Sequence, residues 1–219
     1  MAISKLNFNS LNVTPSASSA IGFDSGADDL ETGAGGGSMV FIKKLTASSS
    51  GTLSFVDGTS SVVLDSTYKE YMFIFNNIHP ATNNADLMIN FSIDSGSNYN
   101  VTKTSTHFRA LHNEGGTESG LAYDSGSDMA QGTGDLNILL NIGNGNDECG
   151  AGYLHLFNPS STTFVKHFIA NMNRYDAADF TVNQHTAGYA NTTSAIDAVK
   201  FQMDSGNIDA GTITLYGIS

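Results

Sequence analysis

Apolar residues recur at every second position over several separate stretches of this chain, and that alternation limits the fold more than any other feature. Leu87, Ile89, Phe91 and Ile93 alternate with polar neighbours in this way. Successive side chains of a β-strand point to opposite faces, so the period of two predicts half-buried strands. Similar alternation occurs at 153–157, 164–169 and 199–203, while 71–75 predicts a central strand and 213–218 a last strand.

Turn signals separate these stretches. The tripeptide Asp-Ser-Gly occurs at Asp24, Asp94, Asp124 and Asp204. Aspartate can bond the backbone two residues ahead and glycine accepts a positive φ, so the tripeptide favours tight turns. Helical periodicity is confined to single turns at most. The sequence therefore predicts an all-β fold, an antiparallel β-sandwich of eight or more strands that is jelly-roll-like in size.

Residues 1–38 differ from the rest of the chain. Their apolar residues are sparse and follow no long period, and a glycine-rich run at 33–37 favours a flexible joint. We therefore predict an extended N-terminal arm at 1–38, followed by a β-sandwich domain at 39–219. The arm is expected to pack on a neighbouring subunit through its apolar residues, namely Leu6, Phe8, Leu11, Val13 and Phe23.

Charge and composition limit the partners of the chain. The net charge is −12 and only nine residues are basic, which speaks against nucleic acid, because phosphate contacts need clustered Lys and Arg. The first residues lack the pattern of a signal peptide, and no apolar run approaches the ~18 residues needed to span a bilayer. We therefore expect synthesis in a cytoplasm and no membrane insertion.

No catalytic motif stands out in the sequence. A nucleophile elbow, a zinc-protease helix and a phosphate-binding loop are all missing. The single cysteine, Cys149, lies in an acidic stretch, which would disfavour its thiolate. We therefore predict that the chain is not an enzyme and needs no cofactor.

Three groups of residues could hold a metal ion, although ordinary structural roles are favoured for each. His155 and His167 fall on neighbouring predicted strands and could share one face. His107, His112 and Glu114 could form a triad, and the acidic loop 144–148 could supply oxygen ligands to Ca²⁺. A hydrogen-bonded histidine or a solvated turn is the commoner outcome, so no metal site is predicted.

Aromatic side chains are the other route to function for a β-sandwich. Four tyrosines lie in or beside polar loops, where their rings could stack on a sugar or fill a pocket of a partner, although packing onto a sheet edge is the commoner fate. These candidate surface-binding residues are Tyr99, Tyr123, Tyr175 and Tyr189.

Several longer strings resemble small structural proteins of tailed bacteriophages, particularly marine ones. The string at 5–15 (KLNFNSLNVTP) resembles their opening, and the one at 68–82 (YKEYMFIFNNIHPAT) is similar to their most recurrent internal motif. Further similar strings occur at 155–160, 166–168, 187–197 and 205–218, whereas 83–150 fits the pattern less well.

The resemblance implies a virion protein that is made in the host cytoplasm and carried on the particle surface. It implies partners among the capsid or tail proteins, and a homo-oligomer such as a trimer. Capsid decoration, with the arm as anchor, is one placement, and a tail appendage that contacts the host is the other. A carbohydrate-binding module that recognises host glycans, and a glycan-cleaving enzyme with two carboxylates ~5–10 Å apart, are the alternatives from other classes.

Overall fold

The computed structural model describes residues 21–23, 30–32 and 39–219. Fifteen β-strands occur in these residues, and this part of the chain contains no helix that could cross a membrane. The strands are β1 Ile21–Phe23, β2 Leu30–Thr32, β3 Met39–Thr46, β4 Leu53–Val56, β5 Glu70–Pro80, β6 Ala85–Ser92, β7 Lys103–Asn113, β8 Ser119–Tyr123, β9 Met129–Gly132, β10 Leu136–Ile142, β11 Gly150–Phe157, β12 Lys166–Tyr175, β13 Phe180–Ala190, β14 Ala198–Met203 and β15 Ile208–Ile218.

The chain divides into two units, residues 1–40 with Ser219, and residues 41–218. In the first unit, β1 and β2 pair antiparallel, with Phe23 opposite Leu30. The arm was also expected to pack on a neighbouring subunit through Leu6, Phe8, Leu11 and Val13. These four residues lie outside the described residues. The attachment role of the arm therefore stays a prediction.

Two antiparallel sheets pack against each other in the second unit. The smaller sheet has four strands in the order β10-β6-β14-β4. The larger sheet has nine, in the order β3-β15-β5-β11-β12-β13-β7-β8, with β9 paired to β7. The prediction of an all-β, antiparallel sandwich is confirmed.

The core lies between the sheets and follows the predicted period of two. Tyr71, Phe73 and Phe75 point inward from β5, and Phe201 points inward from β14, all of them buried. The Phe201 ring lies edge-on to Phe55, Phe73 and Phe75, with centroid distances of 6.3, 5.3 and 5.1 Å. Edge-to-face rings at this spacing attract one another beyond their burial, so Phe201 joins the two sheets at their centre.

The structure corrects the expected alternation at 164–169. β12 begins only at Lys166, and Phe164 lies in the preceding loop with 70% of its surface exposed. Lys166 is fully buried instead, and its amine donates to the backbone oxygens of Thr192 and Ser194. Burial lowers the pKa of this lysine, and the two carbonyl oxygens replace the water that it loses.

The predicted turn at Asp94 forms as its residue types require. The carboxylate of Asp94 accepts the backbone N–H of Asn98 at 2.8 Å, and Gly96 has a φ of 79°. An L-residue with a side chain rarely adopts that φ, which explains the glycine at this position.

Candidate interaction surface

The side of the nine-stranded sheet that faces away from the smaller sheet is here called the outer face. Along each strand, residues of the outer face alternate with residues of the core. The outward residues are the even-numbered ones in β5, from Glu70 to Asn76, and in β7, from Thr104 to His112. In β11, β12 and β13 they are the odd-numbered ones. Cross-strand pairing aligns six of them, from six neighbouring strands, in a single row. This aromatic row consists of Ile74, Tyr153, Asn171, His185, Phe108 and Tyr123.

Large apolar side chains remain open to solvent on the outer face. Phe108 and Tyr153 each expose 41% of their surface, and Tyr123 exposes 55%. Beside the row, Ile169 of β12 exposes 38% and Leu121 of β8 exposes 76%. Single exposed apolar residues are ordinary, but five on one face of a sheet make that face the candidate interaction surface.

Ring contacts hold several of these side chains in place. Phe108 and His185 lie with their centroids 4.9 Å apart, and Tyr153 lies edge-on to His155 at 5.3 Å. His155 in turn stacks on Phe157 at 6.1 Å. A partner would therefore meet an ordered array of rings, at a lower cost in side-chain entropy.

Five neighbouring strands of the outer face carry almost no formal charge. In the outward positions of β5, β7, β11, β12 and β13, all of them within the described residues, Glu70 is the one charged side chain apart from histidines. Glu70 pairs with the imidazole of His155. Because the whole chain has a net charge of −12, its acidic residues are concentrated elsewhere. An uncharged face on an acidic protein is the surface on which like-charge repulsion is weakest.

The structure distributes the four candidate tyrosines unevenly. Tyr123, Tyr175 and Tyr189 lie at outward positions of the nine-stranded sheet, in β8, β12 and β13. Tyr99 lies elsewhere, with the amine of Lys200 5.2 Å from its ring centre. Sequence reasoning therefore selected three side chains of the outer face but omitted Tyr153 and Phe108.

Hydrogen bonds within the chain restrain two of these hydroxyl groups. The hydroxyl of Tyr175 donates to Asp179 at 2.9 Å, and that bond raises the pKa of Tyr175 to about 12. The hydroxyl of Tyr123 donates to Asp128, which raises its pKa in the same way. These phenols are held neutral and in fixed positions, so a partner would contact mainly their rings.

The structure does not bring the histidines together in the way that a shared metal ion would require. His155 and His167 share the outer face, but the Nδ1 of His155 bonds the carboxylate of Glu70. His107 points to the opposite side of β7 from His112, is fully buried, and bonds Thr186 Oγ1 at 2.9 Å. His107, His112 and Glu114 therefore do not form a metal-binding triad. Within the described residues, no three His, Cys, Asp or Glu side chains are arranged to hold a metal ion.

A cleft of about 480 Å³ lies at the ends of β5, β11 and β15, beside the acidic loop. It is lined by Asn77, His79, Asn146, Asp147, Glu148, Cys149, Asp209 and Ala210. The Glu148 carboxylate accepts the N–H of Gly145, so the loop bonds to itself, and His79 Nε2 donates to the Gly145 oxygen at 3.1 Å. The acidic loop was singled out in the sequence, but the cleft beside it was not predicted, because His79 and Asp209 are far from that loop along the chain.

No protein-family model matches this chain, and neither a curated protein nor a solved structure matches it. The resemblance to bacteriophage virion proteins therefore stays a prediction from the sequence strings.

Proposed function

We propose that this chain is a structural protein of a bacteriophage particle, and that its β-sandwich associates with further copies of itself through the outer face. The resemblance of its sequence strings supports the first half of this proposal. The second half depends on one observation, the exposed aromatic row on an uncharged face of an acidic protein.

The outer face is large enough for a specific interface. Strands in a sheet are ~4.8 Å apart and rise ~3.3 Å per residue. The five strands β5, β11, β12, β13 and β7, with 8 to 11 residues each, therefore cover roughly 24 Å by 30 Å. That area, roughly 700 Å², is close to the ~800 Å² that each partner buries in a standard interface. A second sheet of the same kind is therefore an occupant of matching size.

The composition of the face also fits self-association. Interface centres are poor in charge and rich in tyrosine, phenylalanine and methionine. Tyr153, Phe108 and Met72 supply these residues on the outer face. Two copies that met through any acidic surface would repel each other, whereas the outer face adds little charge to the contact.

A single charge at the centre of this face should disrupt assembly. Ile169 lies on β12, the third of the five neighbouring strands β5, β11, β12, β13 and β7. We expect Ile169→Glu to weaken self-association by about 100-fold or more, because each copy would bury an unpaired carboxylate. Light scattering coupled to size-exclusion chromatography, over a series of concentrations, measures this change.

Ile93→Glu is the matched control. Ile93 directly follows β6 of the smaller sheet and exposes 43% of its surface, close to the 38% of Ile169. This variant should assemble as the original chain does. If the original chain is monomeric at about 100 µM, or if both variants dissociate equally, self-association through the outer face is wrong.

The virion half of the proposal is tested on intact particles. An antibody raised against this chain, viewed by immunogold labelling, should bind particles of the phage that encodes it. Label spread over the head would indicate capsid decoration, and label confined to the tail would indicate an appendage. Particles without label, together with detection of the chain in the infected cell, would contradict the proposal.

Glycan binding is the second candidate function, and the same aromatic row favours it. Rings in a line can stack on successive sugars, and Asn171 and His185 supply hydrogen-bonding groups between them. In that case the chain would bind a host polysaccharide as a monomer. Replacing Tyr153 with alanine would then abolish polysaccharide binding, while the oligomeric state of the chain would not change.

A further inference from the structure

A buried amine and a buried carboxamide meet between the two sheets. Lys103 is the first residue of β7 in the larger sheet, and Asn90 lies on β6 in the smaller one. Lys103 is 0% exposed and Asn90 is 1% exposed. The Nζ of Lys103 donates to Asn90 Oδ1 at 2.7 Å and to the backbone oxygen of Val101 at 2.7 Å.

The Asn90 carboxamide is bonded at both ends. Its Oδ1 accepts the backbone N–H of Phe91 at 2.9 Å, in addition to the lysine amine. Its Nδ2 donates to the Asp135 carboxylate at 3.1 Å and to the backbone oxygen of Tyr99 at 2.8 Å. The carbonyl is therefore polarised by two donors, and a proton acceptor lies beside the amide nitrogen.

The environment also makes the amine reactive. Burial lowers the pKa of Lys103 to about 8. About one such amine in ten is then neutral at pH 7, and half are neutral at pH 8. A neutral, desolvated lysine is a nucleophile in proteins.

We propose that Lys103 and Asn90 condense to form an isopeptide bond that joins the two sheets covalently. The neutral Nζ attacks the Cγ of Asn90, a new C–N bond forms, and the negative charge develops on Oδ1 beside the Phe91 N–H. Asp135 takes a proton from Nζ and passes it to Nδ2. The bond from Cγ to Nδ2 then breaks and ammonia leaves, so one amine and one carboxamide become one secondary amide plus ammonia. No oxidant or cofactor takes part.

Asp135 is held in position for this proton transfer. Its Oδ1 lies 3.2 Å from the Nζ of Lys200, and its Oδ2 accepts the side-chain N–H of Gln202 at 3.0 Å. Asp135 is therefore fixed beside Nδ2. We expect Asp135→Asn to slow the condensation by about 100-fold, the lower end of what a general acid–base group contributes.

Lys166 provides an internal comparison. It is also fully buried, but its amine donates only to the backbone oxygens of Thr192 and Ser194. No side-chain carboxamide accepts a bond from it, so the same condensation has no acceptor there. Lys166→Met is therefore a matched control for Lys103→Met.

Mass spectrometry of the full chain in denaturant is the test. We expect a mass lower by one ammonia than the sequence requires. Cleavage at Asp94, which lies between the two residues, should leave two fragments joined through Asn90 and Lys103. Lys103→Met should restore the full mass, whereas Lys166→Met should keep the loss of ammonia.

One other reaction also releases ammonia, the formation of a succinimide at Asn144-Gly145. A loss of mass that persists in Lys103→Met, or a chain that neutral hydroxylamine cleaves after Asn144, would assign the reaction to that site and overturn the proposal. The full sequence mass in folded protein held at pH 8 for days would also overturn it.

Discussion

Replacing Phe201 with alanine is expected to lower the free energy of unfolding by about 4 kcal/mol. Phe201 is fully buried on β14, and its ring contacts those of Phe55, Phe73 and Phe75 from both sheets. The substitution removes the transfer energy of the ring, leaves a cavity and ends three edge-to-face contacts. Since domains of this size are stable by only ~5–15 kcal/mol, the variant should be close to unfolding at room temperature.

Urea denaturation followed by circular dichroism or tyrosine fluorescence measures this loss. Phe164→Ala is the control, because Phe164 exposes 70% of its surface in the loop before β12. That variant should differ from the original chain by no more than about 0.5 kcal/mol. Equal losses in the two variants would show that Phe201 does not occupy the centre of the core.

Replacing Gly152 with alanine is expected to cost about 3 kcal/mol, through overpacking and backbone strain. Gly152 lies at a register shift between β11 and β5 and has a φ of 156°. A Cβ at this position would lie 2.3 Å from the backbone oxygen of Asn171 and 2.7 Å from the Cα of Met172. Both contacts involve backbone of the neighbouring strand, which cannot move aside as the end of a long side chain can.

The same substitution should also affect the outer face. Gly152 precedes Tyr153, so any shift of β11 displaces this ring within the aromatic row. Thermal unfolding measures the loss of stability in Gly152→Ala. The light-scattering measurement described for Ile169→Glu measures its effect on self-association. The neighbouring variant Ala151→Val, at an exposed outward position, should be almost neutral in thermal unfolding. A Gly152→Ala protein as stable as the original chain would contradict the close approach of β11 and β12.

The strands that the sequence predicted are those in which apolar and polar residues alternate cleanly. β7 and β13, each with 11 residues, were missed because polar side chains occupy their inward positions. His107 bonds Thr186, and Gln184 Oε1 accepts the N–H of Leu140 at 2.6 Å. Each of these bonds joins residues far apart in sequence, so the local pattern does not indicate that the side chains are buried.

The candidate surface was less predictable than the fold. The aromatic row draws one residue from each of six strands, so it exists only once the register between the strands is known. Tyr123 and Tyr189 were selected as residues in or beside polar loops, and the structure places them among the last residues of β8 and β13. Asn90 and Lys103 are close in sequence, but their contact depends on the packing of two different sheets.

The strand order also determines when this chain can fold during its synthesis. β15 lies between β3 and β5, and β14 lies between β6 and β4, so strands made late occupy internal positions in both sheets. A nascent chain that has not yet released β15 from the ribosome must hold its earlier strands without their final partners. Pairing over such sequence distances is slow, and exposed strand edges favour aggregation. Chains that stop before residue 218 should therefore be removed by proteolysis, and only chains with both sheets complete would enter an assembly.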